Sequence, residues 1–286
     1  MNPIELGNCR IYIGTCSWRD HTDFYPDGMP DSQKIVFYSQ HFPFVEVDSS
    51  YYHMPSYRNS ELWAKRTPNG FKFGFKAYRV MTLHGRYEDG KRIEELPTRE
   101  MFSEFAAALE PLKEAGKLAY VLFQFPPWFV PWRRSENEPN PYDYIANCAD
   151  WMEGLPVAVE FRNGYWLQGE RAKRTLDLLR QRGIAYTCVD EPQVGLSHSV
   201  PPFAGTTAKI ALVRFHGRKA DTWTKSGVGV AERFAYLYTA DELVEWVPKL
   251  QKIAGEASEA YVGFNNCYAN FAVKNAQQLR QLLLEL

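Results

Sequence analysis

Charged and hydrogen-bonding side chains recur at the ends of short apolar runs along this 286-residue sequence. Their full set is Glu46, Asp48, Lys76, Gln124, Glu160, Arg162, Asp190, Arg214, His216 and Asn265. Groups of this kind cost several kcal/mol each to bury unless they are paired. Their recurrence at one end of successive runs therefore predicts a ligand-binding site. A closed network of ion pairs, in which the carboxylates balance Lys and Arg, is the structural alternative.

The residue types in this set favour an anionic substrate and acid–base chemistry. Arg162 and Arg214 carry guanidinium groups that bind phosphate or carboxylate through paired hydrogen bonds. Glu160 and His216 are candidate general acids and bases, and Lys76 is a catalytic candidate that would stabilise developing negative charge. Further candidate substrate-binding residues are Glu46, Asp48, Gln124, Asp190, Asn265, Asn266, Trp18 and Tyr52.

A bound divalent metal ion is a second interpretation of the same carboxylates. The candidate ligands are Glu46, Glu160, Asp190 and His216, which are ligand types that such ions take in proteins. Three basic residues in the same mouth would repel a cation. The sequence consequently favours an anion over a metal, and the cofactor is left open.

Other enzyme classes receive less support from the sequence. Retaining glycosidases on an α/β barrel commonly place carboxylates at the ends of the fourth and seventh strands, where this chain has Gln124 and His216. The chain contains no G-x-S-x-G motif, so a serine nucleophile of the α/β-hydrolase type has no support. A Schiff base through Lys76 stays open, although a buried lysine beside Arg and Glu is more commonly an ion-pair partner.

The elements that must position these residues are eight apolar runs rich in β-branched and aromatic residues. They cover residues 11–15, 45–49, 71–77, 119–125, 157–162, 185–190, 210–217 and 260–265. Most of the intervals have helical spacing, so the pattern predicts one α/β domain over residues 1–286, a parallel eight-stranded (β/α)₈ barrel. Residues 191–209 contain three prolines and two glycines, which predicts an irregular or missing sixth helix.

Alternation along the strands divides their side chains between two faces. One face is uniformly apolar, with Val or Phe at nearly every position, and should lie beneath the surrounding helices. The other face should point into the barrel and carries the polar set, Asp190 included. Because active sites in this fold lie at the carboxyl ends of the strands, the polar set coincides with the expected site.

Composition gives little support to some partners and compartments. Lysine and arginine total 33 against 34 acidic residues, so a net charge of −1 gives no support to nucleic-acid or membrane-surface binding. The five cysteines form no C-x-x-C pair, and the first residues lack the pattern of an export signal. We expect a cytoplasmic protein with no membrane association.

Tryptophan and tyrosine residues are frequent in the segments that follow the strands. Trp18, Tyr52, Trp128, Trp223 and Tyr268 are examples, and planar side chains around a cationic mouth would suit stacking on a nucleobase or a sugar. Residues 126–141 form either a surface loop or a lid over this mouth.

Several motifs together resemble the YecE-like family, also called domain of unknown function 72. They are IGTCSW at 13–18, FYP at 24–26, VEVDSSYY at 45–52, FKFGFKA at 71–77, LFQFPP at 122–127, VEFR at 159–162 with Trp166, VRFHG at 213–217, FNN at 264–266 and AVKNA at 272–276. The chain departs from the family pattern at Cys16, where Ser is usual, and at Asp48, where Asn is common. The resemblance implies a TIM barrel and no particular reaction.

Together these observations predict an enzyme that acts on a small anionic substrate, phosphate-bearing or nucleotide-like, by acid–base or hydrolytic chemistry at the carboxyl end of the barrel. The alternative is a non-catalytic protein that binds a metabolite or nucleic acid in the same pocket.

Overall fold

Eight parallel strands close into a barrel in the computed structural model, which describes residues 1–88, 91–136 and 138–286. The strands in chain order are β1 (Ile4–Leu6), β2 (Cys9–Cys16), β3 (Phe44–Val47), β4 (Lys72–Lys76), β5 (Arg86–Glu88), β6 (Lys91–Ile93), β7 (Leu118–Gln124), β8 (Val157–Glu160), β9 (Ala185–Asp190), β10 (Ile210–Phe215) and β11 (Glu259–Phe264). The barrel order is β2, β3, β4, β7, β8, β9, β10 and β11, and β11 pairs back onto β2. β1 adds an antiparallel edge to β2, and β5 and β6 form a separate hairpin.

Helices cover the outside of the barrel between most strands. They are α1 (Asp31–His41), α2 (Tyr57–Arg66), α3 (Arg99–Glu114), α4 (Pro141–Trp151), α5 (Glu170–Arg182), α6 (Ala220–Trp223), α7 (Val230–Arg233), α8 (Ala240–Val244), α9 (Val247–Ala254) and α10 (Phe271–Leu284). α5 ends at Gly183, whose φ of 64° is the left-handed conformation that glycine tolerates. A reciprocal capping box between Thr239 and Glu242 begins α8.

The predicted barrel is confirmed, including its irregular sixth unit. Residues 191–209, which connect β9 to β10, contain no helix. Prolines at 192, 201 and 202 account for this, because each lacks a backbone N–H and has a fixed φ. The β5–β6 hairpin was not predicted, since its strands are mainly charged and show no apolar alternation.

The apolar strand face packs beneath the helices, as the alternation predicts. Its phenylalanines belong to the large core between the sheet and the helices: Phe71, Phe73, Phe75, Phe123, Phe125, Phe161, Phe215 and Phe264. This packing absorbs most of the strand phenylalanines and holds the strand ends in fixed positions.

Aromatic side chains also fill the barrel interior at its amino end. Tyr12 stacks on Tyr261 with ring centres 5.1 Å apart, and Phe44 and Tyr120 lie against Tyr261 at 5.3 Å and 5.6 Å. Glycines on the same face make room for them: a Cβ on Gly74 would lie 2.3 Å from the Tyr120 ring. The lower barrel is therefore a packed core, as is usual in this fold.

No helix in the described part of the chain has the length and apolar character needed to cross a bilayer.

Replacement of Gly14 by Ala tests this close packing. A Cβ at Gly14 would lie 2.0 Å from the carbonyl oxygen of Phe44, and backbone cannot move aside as a flexible side chain can. We expect the free energy of unfolding, measured by urea denaturation, to fall by about 3 kcal/mol. Gly229→Ala is the matched control, because a Cβ there meets nothing within 4 Å. Equal stability of the two variants would contradict the packing described here.

Candidate functional site

The carboxyl ends of the barrel strands surround an open cavity of about 580 Å³. It is lined by Asp48, Tyr51, Tyr52, Lys76, Gln124, Pro127, Arg162, His198, Trp223, Thr224, Val228, Arg233, Phe234 and Asn265. Sequence-predicted site residues among them are Asp48, Tyr52, Lys76, Gln124, Arg162 and Asn265. The structure thus gathers predicted residues from five different strands around one space.

A row of alternating charges lies inside the barrel beside this cavity. Arg214 donates to Oε2 of Glu160 at 2.7 Å and to Oε1 of Glu46 at 2.6 Å. Arg162 contacts Oε1 of Glu160 at 2.8 Å through Nε and Oε2 of Glu191 at 3.0 Å through Nη1. We call this spatial series of side chains the charged row; in order, it consists of Glu191, Arg162, Glu160, Arg214 and Glu46. Exposure of these side chains does not exceed 10%.

Strand register and small neighbours explain how such long side chains fit in the barrel. Arg214 on β10 is in register with Gly263 on β11, and Glu46 on β3 is in register with Gly74 on β4. A glycine beside each long side chain leaves the barrel interior open for it to extend across. Gln124, in register with Glu160, accepts from Arg162 at 3.3 Å and from Arg214 at 3.4 Å.

The charged row holds three carboxylates but two guanidinium groups, and its ends are where ionisation is least favoured. Burial raises the pKa of Glu46 to about 7 against the pull of Arg214, and nearby Asp48 adds to the rise. Burial likewise raises the pKa of Glu191 to about 7 against Arg162. Burial also opposes ionisation of the central Glu160, but its two arginines hold its pKa well below the usual range. The outer carboxyls therefore retain protons near neutral pH and the central one does not.

His216 is held in the neutral form beside this row. Burial and the charge of Arg162 lower its pKa to about 3. Its Nε2 lies 3.1 Å from Oε1 of Glu160, and its Nδ1 lies 3.0 Å from Nδ2 of Asn265. A neutral ring that donates from Nε2 to the carboxylate and accepts at Nδ1 from the amide satisfies both contacts. Both ring nitrogens of His216 are thus engaged.

Two charged groups on the cavity wall are less constrained than the row. The Lys76 ammonium lies 4.6 Å from the centre of the Tyr51 ring and forms no hydrogen bond or ion pair with a described residue. Oδ1 of Asp48 is buried without a hydrogen-bond partner, and it lies 3.9 Å from Nη2 of Arg214, which is a long ion pair. The Asp48 side chain is 27% exposed. Lys76 and Asp48 are therefore the charged groups of the predicted set that retain capacity for a ligand.

Aromatic residues and a further arginine form the upper walls of the cavity. Tyr52 is half exposed, and the Trp223 ring packs edge-on against Phe234 at 5.8 Å. The guanidinium of Arg162 lies 5.4 Å from the centre of the Trp223 ring. Arg233 donates to the carbonyl oxygens of Trp223 and Lys225, which fixes the loop after β10 over the cavity.

Three predicted site residues lie away from the cavity: Asp190, Trp18 and Asn266. The prediction that Asp190 points into the barrel is wrong: it accepts from Arg218, Tyr238 and Trp246, which lie in the connection between β10 and β11 on the outer side of the sheet. Alternation from Ala185, which is in the interior cluster, also places Asp190 on the outer face.

Trp18 and Asn266 are buried among structural partners. Trp18 packs edge-on against Trp63 with ring centres 5.3 Å apart. Asn266 donates to the carbonyl oxygen of Tyr236 and to Oδ1 of Asn275, and so ties the end of β11 to α10. Neither side chain lines the cavity.

The described residues contain no group of three or more His, Cys, Asp or Glu side chains placed to hold a metal ion. Among the four candidate ligands, Asp190 is held on the outer face, while Glu46 and Glu160 are each bound to an arginine. Any inner-sphere metal would have to displace these ion pairs.

Sequence reasoning missed Glu191, Arg233 and Phe234. Glu191 directly follows Asp190, the last residue of β9. A second acidic residue just beyond the strand end is the signal by which the sequence could have identified it. Its carboxylate receives Arg162 and the backbone N–H of Val200 at 2.7 Å. Arg233 and Phe234 lie 18 or more positions after the end of β10, in a segment without a strong periodic pattern of apolar residues. No local signal therefore predicts that they line the cavity.

The raised pKa of Glu46 predicts how stability depends on pH. A carboxyl whose pKa is higher in the folded than in the unfolded state binds more protons when folded, so its contribution falls as pH rises from about 4.5 to about 7. Glu46→Gln mimics the protonated form and removes this loss. We expect the variant to gain about 3 kcal/mol relative to wild type across that interval, measured by urea denaturation at several pH values.

His216 has the opposite dependence, since its lowered pKa makes stability fall below about pH 6.5. It is present in both proteins and cancels in the difference. Glu191→Gln should reproduce the trend of Glu46→Gln. A stability difference that is constant from pH 4.5 to 8 would show that these carboxyls are ionised throughout.

Comparison with known proteins assigns the chain to a family. A family model described as "Protein of unknown function DUF72" matches residues 12–285. UPF0759 protein YunF of Bacillus subtilis is 37% identical over 279 residues, covering 96% of this chain and 94% of YunF. Crystal structures of DUF72 family proteins are similar: that from Enterococcus faecalis is 28% identical with a TM-score of 0.82, covering 96% of this chain and 95% of the other. That from Thermotoga maritima is 30% identical with a TM-score of 0.78, covering 96% and 99%. The chain belongs to the DUF72 family of proteins of unknown function.

Proposed function

We propose that this protein is a cytoplasmic enzyme that binds a small anionic substrate in the cavity and transforms it by acid–base or hydrolytic chemistry. The observation that carries the proposal is Lys76, an ammonium group on the cavity wall without a carboxylate partner among the described residues. The wall lies at the carboxyl end of the barrel strands, where enzymes of this fold carry their active sites. The free thiols of the five cysteines support a reducing compartment.

Lys76 is the principal anion partner in this proposal. The donors of Arg162 are directed at Glu160, Glu191 and Gln124, and Arg214 is 1% exposed. These arginines therefore attract the ligand through their positive charge and hold the inner end of the cavity in place, and they form no direct hydrogen bonds with the ligand. An anion beside Lys76 would meet a site whose outer carboxyls are partly neutral near pH 7, which lowers the repulsion it experiences.

Acid–base chemistry near neutral pH would use Glu46 in preference to Glu160 or His216. The last two hold fixed protonation states, Glu160 as an anion and His216 as a neutral ring. In this proposal they position the arginines, while Glu46 retains a proton next to Asp48, which reaches the cavity. Proton exchange with the substrate then passes through Asp48.

The aromatic walls support a ligand with a planar portion. Tyr52, Trp223 and Phe234 border the same cavity as Lys76, so a base or similar ring could stack while its phosphate contacts the ammonium. This arrangement favours the nucleotide-like members of the anionic class.

A non-catalytic binding protein is the second candidate function. It is favoured by His216, whose two ring nitrogens are both engaged within the barrel and face no substrate. The pocket would then be a rigid receptor for a metabolite. Near-zero net charge gives no support to extended nucleic-acid binding, in agreement with a small ligand.

Inorganic phosphate binding tests the anion site. We expect phosphate at a hundredfold excess over its Kd to stabilise the wild type by about 2.7 kcal/mol, and Lys76→Met to lose tenfold or more in affinity, which is about 1.4 kcal/mol. Isothermal titration calorimetry measures the Kd. The matched control is Lys72→Met, because Lys72 begins the same strand at the opposite end of the barrel. Equal affinity of the Lys76 variant and wild type would refute the proposed site.

Turnover distinguishes the enzyme from the binding protein. Wild type and Lys76→Met are incubated with a mixture of phosphate monoesters and nucleotides, and each component is followed by mass spectrometry. Depletion of a component by wild type alone, with a new product mass, supports the enzyme. Retention of a component on wild type without any change of mass supports the binding protein.

A further inference from the structure

Asp48 and Lys76 carry opposite charges at the ends of neighbouring strands but do not form an ion pair with each other. Val47 on β3 is in register with Phe75 on β4, so the residues that follow them stand at the same level on the inner face. Both line the cavity, yet the structure gives no ion pair between them. Each therefore keeps its charge directed to the same space.

The charged row explains why Asp48 is only weakly paired. The Arg214 nitrogen nearest to Asp48, Nη2, is already 2.6 Å from Glu46 and lies 3.9 Å from Asp48. Nη1 of the same group is directed at Glu160. One guanidinium thus faces three carboxylates, and Asp48 is the one farthest from it. Asp48 is consequently the carboxylate that Arg214 compensates least.

Lys76 is held apart from Asp48 by a different interaction. Its ammonium lies over the face of the Tyr51 ring at 4.6 Å, a cation–π contact that keeps it on the cavity wall. Buried polar atoms without a hydrogen-bond partner are uncommon in folded proteins, and Oδ1 of Asp48 is such an atom. A ligand with complementary charges would satisfy both groups at once.

We propose that the cavity takes a small zwitterion, an anion that also carries an ammonium group, with the anion on Lys76 and the ammonium on Asp48. The inference rests on the proposed anion site and names its substrate class. Because neighbouring strands are about 5 Å apart, Asp48 and Lys76 are close enough for one small ligand to contact both with charges a few ångströms apart. An aminoalkyl phosphate or a short amino acid has this spacing.

Three phosphate esters of similar size test the inference on wild type by isothermal titration calorimetry. They are O-phosphoethanolamine, with an ammonium group, 2-hydroxyethyl phosphate, with a hydroxyl group, and ethyl phosphate, with neither. We expect O-phosphoethanolamine to bind tenfold or more tightly than ethyl phosphate, with the hydroxyl compound between them. Tighter binding of the hydroxyl compound than of O-phosphoethanolamine would overturn the ammonium assignment.

Substitutions assign the two charges to their residues. Asp48→Asn should abolish the preference for O-phosphoethanolamine over ethyl phosphate, whereas Lys76→Met should weaken both compounds alike. Asp20→Asn is the matched control, since it removes an exposed carboxylate from the segment after β2 and should leave the preference unchanged. Circular dichroism verifies folding, and Asp48→Ser replaces Asp48→Asn if that variant does not fold.

The outcomes separate this inference from the proposed function. Failure of all three esters to bind wild type would overturn the anion site itself. Equal binding of O-phosphoethanolamine and ethyl phosphate, with Lys76→Met still weakening both, would leave the anion site standing and overturn the zwitterion. A further pair, β-alanine and propionate, shows whether the anion is a carboxylate, in which case β-alanine is preferred and Asp48→Asn removes that preference.

Discussion

Arg214 is held between Glu46 and Glu160 in the middle of the barrel, and the arrangement of the site depends on this pairing. A buried guanidinium without partners would be strongly destabilising, and the two carboxylates compensate it at 2.6 Å and 2.7 Å. Arg162 extends the same pattern from Glu160 to Glu191. Burial raises the pKa of the outer carboxyls of Glu46 and Glu191 to about 7, whereas the two arginines that contact Glu160 keep it ionised.

This row gives the cavity a rigid floor and decides which groups are left to a ligand. Gln124 and His216 complete the hydrogen bonds of the row, so little rearrangement is needed when a ligand binds. The same saturation leaves Asp48 with only a long ion pair to Arg214, at 3.9 Å, and Lys76 without a carboxylate partner among the described residues. Below the row, Tyr12, Phe44, Tyr120 and Tyr261 form an aromatic plug that fills the amino end of the barrel, so the site opens at the carboxyl end.

Much of this architecture could be predicted from local sequence. The eight strands follow from apolar runs with a period of two, and the missing sixth helix follows from prolines at 192, 201 and 202. The polar ends of β3, β4, β7, β8 and β10 could be assigned to the inner face from alternation alone. Tyr12, Tyr120 and Tyr261 also alternate with outward residues, so the aromatic plug was readable from the same pattern.

The sequence by itself determined the fold, the face of most strand residues and the end of the barrel at which polar groups collect, because these depend on short-range periodicity. Only the tertiary structure decided the partners. Arg214 and Glu46 are 168 positions apart, and no local pattern shows that they meet. Asp190 shows the same limit: polarity suggested the interior, but Arg218, Tyr238 and Trp246 bind it on the outer face. Barrel closure brings distant groups together, and geometry then selects which charges pair and which remain for a ligand.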